Sequence, residues 1–331
     1  MANTRIKLLA TATALGLALT GCSNAGGAEG DKEAQANGDT ISVEDNHGTQ
    51  NVPANAEKVA VTDNRSFEIL SQWEIPLVAA PKALIPFTVD SYKNDDSIAD
   101  MGTHKEPNLE ALVAAQPDLV VNGQRFAKQY EDIKKLNPQA AVVEFEPRED
   151  KPFDEEIKRQ TELLGTTFGK EEEATKLIED FDKALERAKK AYDPSKKVMA
   201  INVSGGEIGY IAPSVGRTYG PLFDLIGMTP ALKVENASDN HEGDDVSVET
   251  IAKSNPDWVL ILDRDAGTNT RNEAEYKPAK DVIEGNEALK NVSAIKDSHV
   301  VYAPEDTYTN ENIITYTEIL NSMADAFESA K

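Results

Sequence analysis

Cysteine is nearly missing from this 331-residue chain. The single Cys22 cannot pair with another, so no disulfide framework holds the fold. Histidine is sparse too: four in all, with no His-rich loop, argues against a dedicated zinc or manganese binder. Basic residues are outnumbered, 34 Lys and Arg against 58 Asp and Glu, and the net charge of −24 repels phosphate backbones. General nucleic-acid binding is therefore excluded. Beyond the N-terminus no apolar run is long enough for a bilayer-spanning helix. The GxSxG, HExxH, Walker and GxGxxG signatures are absent as well. Gly205, Gly206 and Gly209, in SGGEIGY, read as a hairpin bend leading into Tyr210-Ile211 rather than a dinucleotide loop. With this many carboxylates, a pair spaced like a glycosidase site carries little weight. The remaining composition, 40% apolar and 28% charged, is that of a soluble globular protein with room for two domains.

Residues 1–22, MANTRIKLLATATALGLALTGC, place Arg5 and Lys7 before an apolar core running from Leu8 to Leu19. That core is too short for a stable membrane span and suits a signal peptide. Cys22 follows Leu19-Thr20-Gly21 and resembles the bacterial lipobox, in which the thiol is lipidated and the peptide is cut just before it. The expectation is a signal peptide over 1–21 and a lipid-anchored tether over 22–40. The small polar run SNAGGAEGDKEAQANGD has no bulk to build a core. Cleavage would leave 32 basic against 58 acidic residues, or −26. The anchor, at the extracytoplasmic face of the membrane, would be the only membrane contact.

An internal repeat organises the rest. Asn108 to Arg125 reads NLEALVAAQPDLVVNGQR, and Ser247 to Arg264, 139 positions on, reads SVETIAKSNPDWVLILDR. Glu110/Glu249, Pro117/Pro256, Asp118/Asp257, Val120/Val259 and Arg125/Arg264 are identical without a gap. Lys58-Val59 and Lys197-Val198 match at the same offset. Each window opens on an N-cap residue, runs a short helix, turns at Pro-Asp and enters an apolar strand.

The pattern predicts strands at Lys58–Thr62, Leu77–Ala80, Leu119–Val121 and Ala141–Glu144 in a first lobe, with helices near Ser66–Trp73, Asn108–Ala115 and Ala127–Leu136. A second lobe has strands near Lys197–Val203, Trp258–Leu262 and Val300–Tyr302, with helices near Tyr219–Ile226, Val248–Ser254 and Asn310–Ser329. Between them, Lys170 to Ala191 contains no Gly or Pro and places Ala174, Leu177, Ile178, Phe181, Ala184, Leu185 and Ala188 at helical spacing. About 22 residues at 1.5 Å rise span about 33 Å, enough to bridge two small domains. The expected fold is α/β: two Rossmann-like lobes with largely parallel sheets, over 41–168 and 194–331, joined by one long helix over 169–193.

Lipobox, tether, lobe, long connecting helix and second lobe together resemble the periplasmic-binding-protein type that serves ABC importers of siderophores, haem and cobalamin. The segments NLEALVAAQPDLVV and VSVETIAKSNPDWVLIL carry the likeness most strongly. GQRFAKQYEDIKKLNP (Gly123 to Pro138) and GRTYGPLFDLIGM (Gly216 to Met228) are similar to the branch that binds ferric catecholate siderophores. The resemblance implies a non-enzymatic binding protein with no intrinsic cofactor. Its ligand would be ferric iron as a siderophore complex, and its partners the permease subunits of an importer and their ATPase.

A ferric tris-catecholate is strongly anionic and flat along its rings, and guanidinium, always charged and planar, suits it. Arg125 and Arg264 each follow a strand after a Pro-Asp turn, one per lobe, where open α/β sheets bind ligands. Arg217 stands at another strand-to-helix junction. In the resembled branch, arginines at these three places contact the catecholate oxygens. The resemblance further implies His241, in DNHEGDD, and Tyr308, in PEDTYTN, as iron ligands where a tetradentate siderophore leaves two positions open. It also implies Glu110 and Glu249 as the pair, one per lobe, that docks on the permease; Glu in a helix's first turn equally favours the helix dipole. Haem, which His and Tyr also ligate, would favour an apolar slot with fewer arginines. Cobalamin would not need the positive charge, a tethered hydrolase would need a catalytic motif, and an adhesion or signalling lipoprotein would present a flat surface.

Overall fold

The computed structural model describes residues 40–235 and 237–331. Cys22 and the signal-peptide and tether readings lie outside these residues, except that Thr40 opens the first strand. In chain order the first lobe contains β1 (Thr40–Asp45), β2 (Gly48–Pro53), β3 (Val59–Val61), α1 (Phe67–Gln72), β4 (Leu77–Ala80), α2 (Asp90–Lys93), β5 (Ala99–Asp100), α3 (Leu109–Ala115), β6 (Leu119–Asn122), α4 (Tyr130–Leu136) and β7 (Ala141–Glu144). Two long helices follow, α5 (Phe153–Phe168) and α6 (Glu171–Ala191). The second lobe contains β8 (Lys197–Ser204), β9 (Glu207–Ile211), α7 (Gly220–Ile226), β10 (Thr229–Pro230), α8 (Val248–Ser254), β11 (Trp258–Asp263), α9 (Ala279–Glu284), α10 (Ser293–Lys296), β12 (Val300–Tyr302) and α11 (Ile313–Ser329).

The first sheet runs β5-β4-β3-β6-β7, all parallel. The second runs β10-β8-β11-β12, also parallel, with β9 folding back antiparallel on β8 through the bend at Gly205-Gly206. All four residues of β6 and the first five of β11 are buried, as expected for parallel strands covered on both faces. The registers coincide under the 139-residue shift: Val59 pairs with Leu119, and Val198 with Trp258.

The repeat extends to hydrogen-bond detail. The Asn108 side chain caps α3 by accepting from Ala111 N, and Ser247 caps α8 by accepting from Thr250 N. Both helices stop on a left-handed residue, Gln116 at φ 51° and Asn255 at φ 44°. The aspartate of each Pro-Asp turn then clamps the neighbouring strand. Asp118 accepts from Glu57 N (2.9 Å) and Lys58 N (3.1 Å), and Asp257 from Lys197 N (2.8 Å).

Helix α6 is not a free rod. Its buried face of Ala174, Phe181, Ala184, Leu185 and Ala188 packs along α11, through Ile319, Leu320, Met323 and Phe327, and against α5. One apolar cluster thereby runs from Val59 and Leu119 of the first sheet through these helices to Val198 and Trp258 of the second. Burying each large apolar side chain contributes roughly 1.5–3 kcal/mol, so this seam ties the lobes together.

The β1–β2 hairpin, α5 and several short elements (α2, β5, β10, α9 and α10) escaped the pattern. The hairpin buries only Val43, Asp45 and Val52, and α5 is interrupted by Gly165 and rich in charge. The helix expected from Asn310 starts later, at Ile313, because the Asn312 side chain accepts from Ile314 N and Thr315 N and fixes the start there.

Candidate functional site

The carboxyl ends of the two sheets meet at a cleft of about 270 Å³, lined by Leu84, Thr103 and Arg125 from the first lobe and Arg264, Thr268 and Tyr308 from the second. Arg125 lies three residues past β6 on a 3₁₀ turn over Gln124–Gln129. Arg264 directly follows β11, its amide donating to Val203 O (3.0 Å). Arg217 lies in a tight turn before α7. A Cβ on Gly216 would come within 2.6 Å of Ala212 N and O, and Thr218 has φ 63°. Tyr308 stands on a 3₁₀ turn over Thr307–Thr309, where Gly267 leaves room for its Cβ.

These four residues form one cluster. The guanidinium carbons of Arg217, Arg264 and Arg125 lie 4.4, 4.9 and 5.0 Å from the Tyr308 ring centroid, within cation–π range. Burial works against ionisation of the Tyr308 phenol, but Arg217, Arg125 and Arg264 outweigh it and hold the group below the usual tyrosine range.

The arginines differ in their partners. Arg217 forks onto Glu311, with Nε 3.0 and 2.9 Å from the two carboxylate oxygens and Nη2 2.5 Å from Oε2, and Nη2 also donates to Tyr308 O (3.2 Å). Arg264 donates through Nη1 to Asp265 Oδ1 (3.0 Å) and Ser204 Oγ (3.1 Å), and its buried Nε has no partner. Arg125 has no carboxylate within salt-bridge distance among the described residues, and its buried Nε and Nη2 are both unpaired. Burial lowers its pKa, Tyr308 opposes that shift and Arg217 adds to it, yet a guanidinium keeps its charge. Buried donors left without acceptors are costly, and a cleft that retains them is shaped for an anion.

His241 is not brought to this group. It lies exposed on the loop before α8, its Nε2 3.8 Å from Glu242 Oε1 and its carbonyl accepting from Asn202 Nδ2 (3.1 Å). The histidine that neighbours Arg125 is His104, half-buried in the turn that also supplies Thr103, with Nδ1 buried and unpaired. Burial, then Arg125 and Lys105, hold its pKa low. Sequence reading missed His104 because nothing in THKE distinguishes it from a solvated turn. It missed Glu311 because 58 acidic residues offer no local sign of which one meets Arg217. Glu110 and Glu249 both lie exposed in the first turn of their helices and are not among the residues lining the cleft. Among the described residues no group of three or more His, Cys, Asp or Glu side chains is placed to hold a metal ion, and no helix is long and apolar enough to cross a membrane.

Two parallel-sheet lobes, a helical seam and a basic cleft between the sheet ends define a bilobal ligand-binding protein. The chain belongs to the periplasmic binding protein family, whose sequence pattern matches residues 59–307. It is 28% identical over 289 residues to the petrobactin-binding protein YclQ of Bacillus subtilis, covering 86% of each chain. The crystal structure of YclQ superposes with a TM-score of 0.74 at 27% identity, covering 88% of this chain and 99% of that one. The ferric-anguibactin-binding protein FatB of Vibrio anguillarum is 28% identical over 294 residues, covering 87% of this chain and 88% of FatB. The catecholate-siderophore binding protein VctP of Vibrio cholerae shares the fold, with a TM-score of 0.73 at 22% identity over 88% of this chain and 100% of that one. These relatives are binding proteins, and the hydrolase reading is set aside.

Proposed function

We propose that this protein captures a ferric siderophore of catecholate type in the interlobe cleft and hands it to an ABC importer from a lipid anchor at Cys22. The observation that carries the reading is the cluster of Arg125, Arg217 and Arg264 around Tyr308, with unpaired buried N–H groups on Arg125 and Arg264. Planar donors in a fork match deprotonated catechol oxygens, and the acidic body matters little beyond a screening length of about 8 Å. The matches over most of both chains to YclQ, which binds petrobactin, and FatB, which binds ferric anguibactin, support the siderophore class. Haem would leave the same buried donors unanswered over most of its apolar face.

In this reading Tyr308, whose ring three guanidinium groups face, ligates iron directly when the siderophore leaves coordination positions open, which its lowered pKa supports. His241 would join it only by movement of its loop. Glu110 and Glu249, related by the repeat offset, suit docking on two permease subunits.

Titration by intrinsic fluorescence tests the reading, with a ferric tetradentate catecholate, a ferric hexadentate catecholate, haemin and cobalamin as ligands. Saturable sub-micromolar binding of a catecholate complex is the expected result; binding of haemin alone would overturn the ligand class. A change in the visible spectrum of the tetradentate complex that disappears in Tyr308→Phe would establish direct coordination, and the same comparison in His241→Ala decides that residue. The Glu110→Gln/Glu249→Gln protein should bind ligand normally but fail to support iron uptake in cells.

A further inference from the structure

Glu311 is only 3% exposed and lies behind Arg217, one of the arginines that face Tyr308. It accepts the fork from Arg217 and a hydrogen bond from Thr218 Oγ1 (2.5 Å), and Nη2 of Arg65, from the first lobe, lies 4.0 Å from Oε2. Arg65 is also 3.4 Å from Glu146 Oε1. One buried carboxylate thus engages a guanidinium from each lobe, one of which faces the ring that lines the cleft. Burial alone would raise its pKa, but Arg217 and Arg65 hold it down, so it stays ionised.

A carboxylate in that position holds the Arg217 guanidinium over the Tyr308 ring and cancels charge. The cleft therefore offers an anion less positive charge than its arginines imply. Arg264 is likewise matched by Asp265, whereas Arg125 is unmatched. We propose that Glu311 is a positioning residue that holds Arg217 over Tyr308 and, as the built-in counter-ion of Arg217 and Arg65, sets the ligand charge that the cleft prefers. A residue that served only the fold would affect stability and bind all ligands alike. A charge-setting residue must change the balance between charged and uncharged ferric complexes.

The groups that face Tyr308 are Arg125, Arg217 and Arg264, with Glu311 behind Arg217, Asp265 beside Arg264, His104 beside Arg125 and Glu273 on the same cleft wall. The phenol is thus a probe of the charge balance that needs no ligand. The test is nuclear magnetic resonance titration of ring-labelled tyrosine in the ligand-free protein, with the Tyr308 signal assigned by its loss in Tyr308→Phe. Glu311→Gln keeps the shape and an acceptor oxygen but removes the charge, so Tyr308 should ionise at lower pH than in the unaltered protein. Glu311→Asp, which keeps the charge, should move it much less. An unchanged or higher titration in Glu311→Gln overturns the proposal. Should that variant fail to fold, Arg65→Gln decides: removal of that cation should move the Tyr308 titration upward, and no movement overturns the proposal equally.

The ligand arm rests on the siderophore reading. Glu311→Gln should bind a ferric tris-catecholate about tenfold more tightly while leaving an uncharged ferric trihydroxamate unaffected, a change of roughly 1.4 kcal/mol. Equal changes for both ligands would overturn the charge-setting role. If the unaltered protein binds neither complex, the siderophore reading fails, and the tyrosine titration alone judges Glu311.

Discussion

The segments 108–125 and 247–264 are the same construction in two places, and they differ in what surrounds their last residue. Both have a side-chain N-cap, a left-handed stop and an aspartate that clamps the next strand. At the end of each stands an arginine. Arg264 is answered by Asp265 and Ser204, whereas two buried nitrogens of Arg125 have no partner. The backbone needs are local, since every helix end and strand start must satisfy its own N–H and C=O groups, and the two copies meet them alike. Charge balance depends on what other elements bring to the strand ends, and there the copies diverge. The first lobe supplies the uncompensated cation, and the second supplies the ring and two compensated ones.

The largest expected effect tests that divergence directly. Arg125→Ala should weaken ferric tris-catecholate binding about a hundredfold, since roughly 3 kcal/mol is typical for losing a buried charged contact. Fluorescence titration reads it. Next comes a pair that the repeat aligns but does not match, Asp63 in the first lobe and Asn202 in the second, both buried. Asp63 accepts from Gln160 Nε2 (2.8 Å) and from Arg65 N (3.0 Å), and burial pushes its pKa up to about 6. The native state then holds this proton more tightly than the unfolded chain, so the group makes stability rise as pH falls from about 7 towards 4. The gain is about 2 kcal/mol. Urea unfolding at pH 7 and pH 5 should show this rise, and Asp63→Asn should flatten it; an identical slope in the variant would remove Asp63 as its source.

Smaller effects concern what the copies share. Asp118→Ala and Asp257→Ala should each lower unfolding stability by about 1–2 kcal/mol, Asp118 by more because it holds two backbone amides. A neutral result at either position would break the equivalence of the clamps. Arg264→Ala should weaken catecholate binding by only about tenfold, because its removal also frees Asp265 and Ser204 from an internal pair. A loss as large as that of Arg125→Ala would erase the contrast between the lobes.

Much of the fold was legible because its signals are short-range. Apolar runs such as LVV and WVLIL mark covered parallel strands, Pro-Asp after a left-handed stop marks a turn, and the 139-residue offset that relates the two copies in sequence also relates the registers of their sheets. Arg125 and Arg264 were legible for the same reason, as each follows a strand that the pattern locates, and Arg217 stands just ahead of a helix that it locates. The β1–β2 hairpin was not, since its strands bury too few residues to alternate clearly. His241 and His104 looked alike as residues of polar loops, and only the turn between Gly102 and Pro107 decided which one lies beside Arg125.

The sequence by itself determined the two lobes, the long helix between them and the arginines at the mouths of their sheets, because backbone hydrogen bonding and apolar periodicity are written within a few residues. Tertiary structure alone decided that the arginines converge on Tyr308, that Glu311 answers Arg217, and that Arg125 is left unanswered. Those outcomes depend on side chains up to 246 positions apart, as in the pair Arg65 and Glu311, and a charge carries no mark in the sequence of the partner it will meet.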